Sequence, residues 1–306
     1  MDFLNALPGA IAEGLIWGLM AIGVYISYKI LDIADLTVDG SICTGGCVCA
    51  VLIAAGVPVW VAMVAAFLAG ALTGIVTGLF HTALGIPAIL AGILTQLILY
   101  SVNLITLGGK SLMTIDHRAN DLMVHASENI PAVITMVLLC GGMIVCLWLF
   151  FYTEVGLTIK STGDNPNMSR AQGVNVKFNK VLGLAISNGI VALAGSLLAQ
   201  YRGAANINDG RGAIVIGLAA IFIGLSVSLK IKPNFVVSLI GVLFGGIVYF
   251  IIYNFVVLVG LDTSYLKMLS AVIVVVFLAV PYLKGEYFQK RKSILPAANE
   301  GGEGHA

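Results

Sequence analysis

Thr153-Glu-Val-Gly156-Leu-Thr-Ile-Lys160-Ser-Thr-Gly163-Asp164-Asn165-Pro166-Asn-Met-Ser-Arg170-Ala-Gln-Gly173-Val-Asn-Val-Lys-Phe-Asn-Lys180 is a polar stretch between two apolar runs, 131–152 and 181–200. Each run approaches the roughly 20 apolar residues that an α-helix needs to cross a bilayer. The same alternation continues outward in both directions. Of 306 residues 59% are hydrophobic and 10% charged, with a mean hydropathy of +1.02, whereas a soluble domain carries roughly a quarter charged residues. So few charges could not coat a water-facing surface, which excludes a soluble fold. The chain is expected to be an all-α integral membrane protein.

Apolar runs at 9–28, 41–57, 58–80, 85–108, 131–152, 181–200, 213–229, 234–259 and 267–283 give about nine transmembrane helices, in a range of roughly 8–10. The first is read as a permanent helix rather than a cleaved signal, since Asp2 follows Met1 and no basic segment precedes the run. The runs at 41–57 and 213–229 are short and interrupted by glycine, so broken or re-entrant segments are expected there. Residues 1–286 form one polytopic domain, and 287–306 a Gly/Glu-rich tail with the composition of a disordered segment.

Basic residues near helix ends are retained in the cytoplasm. Eleven of the 16 fall on one side (Lys29, Lys160, Arg170, Lys177, Lys180, Lys230, Lys232, Lys284, Lys290, Arg291, Lys292) and five on the other (Lys110, Arg118, Arg202, Arg211, Lys267). This places the N-terminus and the 109–130 loop outside, and the 153–180 loop and the C-terminal tail in the cytoplasm. The net charge of +1 gives no basis for a nucleic-acid partner.

A weak internal repeat is present. Asp39-Gly40 recurs as Asp209-Gly210, and Gly70-x-x-x-Gly74 recurs as Gly241-x-x-x-Gly245. An odd number of spans separates the copies, so the halves would be related by an axis in the membrane plane. Inverted repeats with Gly-interrupted helices in matching positions mark transporters and point to the pathway.

Within 153–180, Gly163-Asp164-Asn165-Pro166 reads as a turn: glycine supplies positive φ, Asp and Asn bond nearby amides, and proline starts a helix. Asn165 or Asp164 can cap a short surface helix reaching about Gln172, which Gly173 would end. Met168 and Arg170 are among the side chains it would present; the competing reading is an ordinary connecting loop. Acids beside apolar runs are costly and suggest a path or ligand role. Asp35, Thr37, Asp39, Gly40, Asn206, Asn208 and Asp209 are therefore the candidate translocation residues. The alternative is that Asp39 or Ser41 caps the 41–57 helix and Asp35 a helix boundary, while Asp209 pairs with Arg202 or Arg211. Glu13, inside the first span, either pairs or reaches outward. Cys43, Cys47 and Cys49 lack a neighbouring set of further ligands, so no metal site is expected. His81 lies at a cytoplasmic helix end, where a cation is favoured.

The run from Gly156 to Val176 resembles the coupling loop of permease subunits of ATP-binding-cassette importers, in the branch of the branched-chain amino acid and ribose permeases. Gly156, Lys160, Gly163, Asp164, Asn165, Pro166, Arg170 and Gly173 lie in that stretch; Ser161 stands where alanine is usual and Val174 where isoleucine is. Asp35-Leu-Thr-Val-Asp39-Gly40-Ser41 and Gly217-Leu-Ala-Ala-Ile-Phe-Ile-Gly224 resemble two further segments of the family. Asp39, inserted before Gly40, resembles a sub-branch of uncharacterised and aromatic amino acid importers. The resemblance implies a permease of the bacterial inner membrane that carries a small polar solute, an amino acid above all, by alternating access. It implies a second permease copy, two copies of an ATPase that binds ATP and Mg, and an outer substrate-binding protein docking at 109–130 or near Asp209. It also implies no cofactor and no catalysis in this chain. Consistent with that, the nearest approach to a phosphate loop, Gly108-Gly109-Lys110-Ser111, has Leu104 where the motif needs glycine. The rival class is an ion- or proton-coupled secondary transporter, which an inverted repeat supports equally.

Overall fold

The computed structural model describes residues 3–115, 122–124, 129–228 and 234–258, with isolated positions at 268, 271–272, 275 and 279. Along these residues run α1 (Phe3–Tyr25), a π-helical turn (Ile26–Ile30), α2 (Val38–Ala54), α3 (Val59–Thr82), α4 (Ala88–Thr106) and β1 (Leu112–Thr114). Then follow α5 (Asn129–Phe151), α6 (Glu154–Asp164), α7 (Pro166–Ala171), α8 (Val176–Arg202), β2 (Ala204–Asn206), α9 (Ala213–Ser228) and α10 (Phe235–Leu258). Among the described residues, six helices are long and apolar enough to cross a membrane: α1 with its π turn, α3, α4, α5, α8 and α10. The runs expected at 41–57 and 213–229 are the shorter apolar helices α2 and α9. The ninth expected span, 267–283, and the tail 287–306 lie outside the described residues, apart from the isolated positions.

α8 and α1 form the centre and are buried through most of their length, while α4 and α5 leave apolar side chains such as Leu97 and Leu138 exposed. Acyl chains, not water, solvate such a surface. The central crossings depend on missing side chains. A Cβ on Gly70 or Gly74 of α3 would overlap the backbone of α8 at Asn188 and Leu184, and α10 meets α1 where Gly246 faces Gly14 and Gly18. Small residues let helix axes approach closely, the main source of packing in a solvent as apolar as the side chains themselves.

The chain does not turn back into water after α1. The π turn ends at Leu31, and Asp32 takes the left-handed conformation (φ 54°) that a short polar side chain tolerates. Residues 33–36 then climb along α8 without helical structure. Leu31 touches Gly183, Asp35 bonds Asn188, Gly45 lies on Ala192 and Cys49 reaches Gln200. The short α2 thus starts about half-way along α8. β2 pairs antiparallel with β1, Leu112 opposite Asn206, at the end of the bundle where α8 finishes. From there residues 207–212 fold back to place the start of α9 beside the start of α2. The 153–180 segment lies at the opposite end, beside Ile30.

Candidate translocation and coupling sites

At that end α6, α7 and the start of α8 form a compact helical elbow. Thr153 caps α6 through Gly156 N at 3.3 Å. Asn165, extended at φ −156° and ψ 97°, accepts from Asn167 N (3.1 Å) and Met168 N (3.0 Å), with Pro166 opening α7. Gly173 has φ 82° and follows the end of α7, and Asn175 caps α8 through Phe178 N at 3.1 Å. The capped short helix therefore lies where the sequence placed it. The turn is narrower than expected, however: Gly163 and Asp164 belong to α6, and only Asn165 breaks the chain. Gly163 is required for space rather than for positive φ, because a Cβ there would overlap the Ile30 carbonyl oxygen. Asn179 Nδ2 donates to Thr162 Oγ1 (3.1 Å), fixing α6 to α8. Gly156 is buried, whereas Lys160, Asp164, Met168 and Arg170 are exposed on the outer surface of the elbow.

Half-way along α8 lies a buried polar network. Asp35 is 2% exposed; its Oδ1 accepts from Thr37 N (2.8 Å) and its Oδ2 from Asn188 Nδ2 (2.6 Å). Ser41 Oγ donates to Asn188 Oδ1 (2.6 Å) and lies 2.7 Å from Thr73 Oγ1. Thr37 Oγ1 lies 2.8 Å from Thr77 Oγ1, which reaches Thr95 Oγ1 at 3.0 Å. The network ties residues 35–41 to α3, α4 and α8, and supplies hydrogen bonds to a non-helical segment at membrane depth, where unpaired groups would be costly.

Asp39 does something the sequence did not suggest. α2 begins at Val38, before the predicted 41, and neither Asp39 nor Ser41 caps it. Asp39 Oδ2 instead accepts from Gly212 N (3.0 Å) and Oδ1 from Ile214 N (2.9 Å), so that a carboxylate of α2 caps α9. Around the same junction Gly210 N donates to Cys43 Sγ (3.0 Å), and Asn206 Oδ1 accepts from Asn208 N (2.9 Å). Asp209 accepts from Asn206 N (3.1 Å) and from Arg202 (3.3 Å), which also pairs with Glu13. Burial pushes the Asp209 carboxyl up, against the Arg202 charge that pulls it down.

Two cavities border Asp39 and the Ile214 that it holds, and a third, of about 360 Å³, reaches Asn208, Asp209, Arg211 and Gly212. The first, of about 450 Å³, is lined by Asp39, Gly40 and Cys43 of α2, by Gln96, Leu97, Tyr100 and Asn103 of α4, and by Ile207 and Arg211. The second, of about 150 Å³, includes Ser27, Tyr28, Asp35, Leu36, Ile214 and Leu218. Asp39 borders the first, and the Ile214 it holds borders the second.

Short helices that start inside the bundle around a polar junction are a feature of transporter folds. The family model for the permease component of branched-chain amino acid transport systems matches residues 8–278. The chain belongs to this permease family. The permease is 34% identical over 301 residues to the tyrosine transport system permease protein of Clostridioides difficile (strain R20291), covering 97% of this chain and 98% of the relative. It is 32% identical to the uncharacterized protein RP368 of Rickettsia prowazekii (strain Madrid E), over 92% of this chain and 99% of that one. It is 25% identical to the ribose import permease protein RbsC of Escherichia coli (strain K12), over 90% and 85%. No solved structure matches it. The protein is thus a multi-pass membrane permease subunit of an ATP-binding-cassette importer, not an enzyme, and this decides against the secondary-transporter class.

Of the residues singled out from sequence, Asp35, Thr37, Asp39, Gly40, Asn206, Asn208 and Asp209 gather around the starts of α2 and α9, in two environments rather than one. Asp35 and Thr37 sit in the sealed network, and Asn206, Asn208 and Asp209 in a half-exposed turn. Asn188, Thr73, Thr77 and Thr95 were missed; a polar residue recurring inside an apolar run was their only signal. Gln96, Tyr100 and Asn103, at helical spacings of four and three on α4, carried the same signal. His81, considered for its charge, bonds the Ile86 carbonyl (2.9 Å) and Lys180 (3.2 Å). In the 109–130 docking candidate, residues 116–121 and 125–128, with Asp116, Arg118, Asp121 and Glu128, lie outside the described residues.

Proposed function

We propose that this permease imports an amino acid, of the aromatic kind named for its Clostridioides relative, along a path past the starts of α2 and α9. The observation that carries this is the Asp39 carboxylate bridging the two short helices, with a cavity on each side. The halves behave as an inverted repeat: α3 lies on α8 as α10 lies on α1, and the Asp35–Thr37 turn has a counterpart in Asn206–Asn208. Rocking one half against the other would break and remake the Asp39 bridge and so alternate access between the cavities.

In this reading α7 and the exposed residues Lys160, Asp164, Met168 and Arg170 face the cytoplasm and seat on an ATPase, two copies of which bind ATP and Mg and serve a permease homodimer. The N-terminus and the β1–β2 end face outward, toward a substrate-binding protein. Residues 1–286 act as one transport domain, and the tail 287–306 is cytoplasmic. The family match and the capped, exposed α7 support this. The test is to purify the permease with the ATPase and binding protein encoded beside it, reconstitute the complex, and measure ATP-dependent uptake of labelled L-tyrosine. Uptake is expected to need ATP, and Asn165→Ala with Pro166→Ala is expected to lose ATPase co-purification. ATPase retention in that variant would remove the coupling assignment; uptake of ribose but not of amino acids would remove the substrate class.

A further inference from the structure

The largest cavity at the α2–α9 junction has a chemical character that the transport reading alone does not require. Six of its residues carry polar groups: Asp39, Cys43, Gln96, Tyr100, Asn103 and Arg211. Asp39 and Arg211 bring opposite charges to one space. Arg211 makes no ion pair among the described residues, although Arg202, nine positions earlier, makes two. Asn103 is 2% exposed, and its Oδ1 is buried without a hydrogen-bond partner. A buried amide oxygen left unpaired costs about 1–3 kcal/mol in general, so one that persists calls for an explanation such as a ligand. The rest of the lining is mostly apolar, from Leu97 and Ile207.

We infer that this cavity is a recognition station for a free α-amino acid zwitterion. Arg211 takes the α-carboxylate through paired N–H donors. The remaining lone pairs of Asp39, joined by Asn103 Oδ1 once its side chain turns toward the cavity, take the α-ammonium, which has three donors and no acceptor. Leu97, Tyr100 and Ile207 cover the side chain. The charge pattern favours this class over its rivals. A neutral sugar would leave Arg211 and Asp39 desolvated without compensation, an anion would meet Asp39, and a cation would meet Arg211. The volume of about 450 Å³ admits a side chain as large as an aromatic one. Selectivity would then reside partly in the permease and not wholly in an outer binding protein.

The inference rests on the reading of the chain as an amino acid importer, and the test separates the two. With the reconstituted complex, uptake of L-tyrosine is measured for the native chain, Arg211→Gln, Arg211→Lys, Asn103→Leu and Asn103→Gln, with binding-protein-stimulated ATP hydrolysis followed in parallel. Arg211→Gln and Asn103→Leu are expected to reduce uptake about tenfold or more at unchanged stimulated hydrolysis. Arg211→Lys and Asn103→Gln should recover a substantial part. Excess tyrosine amide and N-acetyltyrosine, each lacking one of the two charges, should compete weakly against the native chain. Direct binding of L-tyrosine to the purified permease, followed by calorimetry in the native chain and in Arg211→Gln, supplies a readout independent of turnover. Native uptake of L-tyrosine with all four variants unaffected, or with hydrolysis and uptake falling together, would overturn the station while leaving the importer reading intact. Native failure to carry any amino acid would overturn both.

Discussion

The turn at 35–37 and the turn at 206–208 are built alike: a side-chain oxygen accepts from the backbone N–H two residues on, and a short helix follows. Their surroundings are opposite. Asp35 is 2% exposed, and its second oxygen is held by Asn188, itself bonded to Ser41. Beside Asn206 the charged partners Arg202 and Asp209 keep 39% and 25% of their side-chain surface in contact with solvent. The same local device therefore serves as a sealed joint at the start of α2 and as a wetted, ion-bearing wall before α9. Electrostatic strength follows the medium: a partner lost in low dielectric leaves a group uncompensated, while one lost near water is replaced by water. Substitutions at equivalent places in the two turns should differ most in stability on the first and most in transport on the second.

The largest expected effect is at the sealed joint. Asp35→Ala leaves the Thr37 amide and one N–H of Asn188 Nδ2 unpaired, the other N–H staying on the Leu184 carbonyl, and each buried donor left without its partner typically costs about 1–3 kcal/mol. Thermal unfolding of the detergent-purified permease should show a large fall in midpoint. Asn188→Ala combined with Asp35→Ala should cost much less than the sum of the two, because both remove the same contact. Additive losses would mean that the Asp35–Asn188 bond is not what stabilises the joint.

A middle-sized effect is expected at Asp39, which belongs to both regions. Asp39→Ala removes a cap worth about 0.5–2 kcal/mol and the only side-chain bridge between α2 and α9 among the described residues. Its stability cost should fall below that of Asp35→Ala, while uptake should fall more than in any variant of the 206–208 turn. Asp39→Asn keeps one acceptor and should lie between. Unchanged uptake in Asp39→Ala would show that the bridge is not on the transport cycle.

These contrasts also mark what could be read in the sequence. Long apolar helices were legible because a bilayer demands about 20 apolar residues whatever the fold. The cap–proline–glycine order of α7 was legible because every bond it needs lies within a few residues of Asn165. The partner of Asp39 was not, since a carboxylate in a first helical turn caps its own helix by default, and the amides it meets lie 173 and 175 residues further on. Gly163 misled for a related reason: next to Asp, Asn and Pro it reads as turn chemistry, but Ile30, which excludes a Cβ, is known only from the fold. Likewise Asn103 and Asn188 look equivalent in sequence, each an amide within an apolar run. Only the packing shows that one is fully bonded and the other retains an unpaired oxygen.

The smallest expected effect is at the wetted wall, and it tests the contrast most directly. Arg202 bonds both Glu13 and Asp209, so a count of ion pairs would make it a major stabiliser. Partly exposed pairs of this kind are usually worth about 0–1 kcal/mol, because water and salt replace the lost partner. Arg202→Gln should therefore shift the unfolding midpoint slightly, and the shift should shrink further as salt is raised from low to physiological ionic strength. Asp35→Ala should show no comparable salt dependence, since ions do not reach a group 2% exposed. If Arg202→Gln proved as destabilising as Asp35→Ala, and insensitive to salt, the outer turn would have to be as dry as the inner one. The cavity beside it would then be a packing fault and not a place where a polar solute is met.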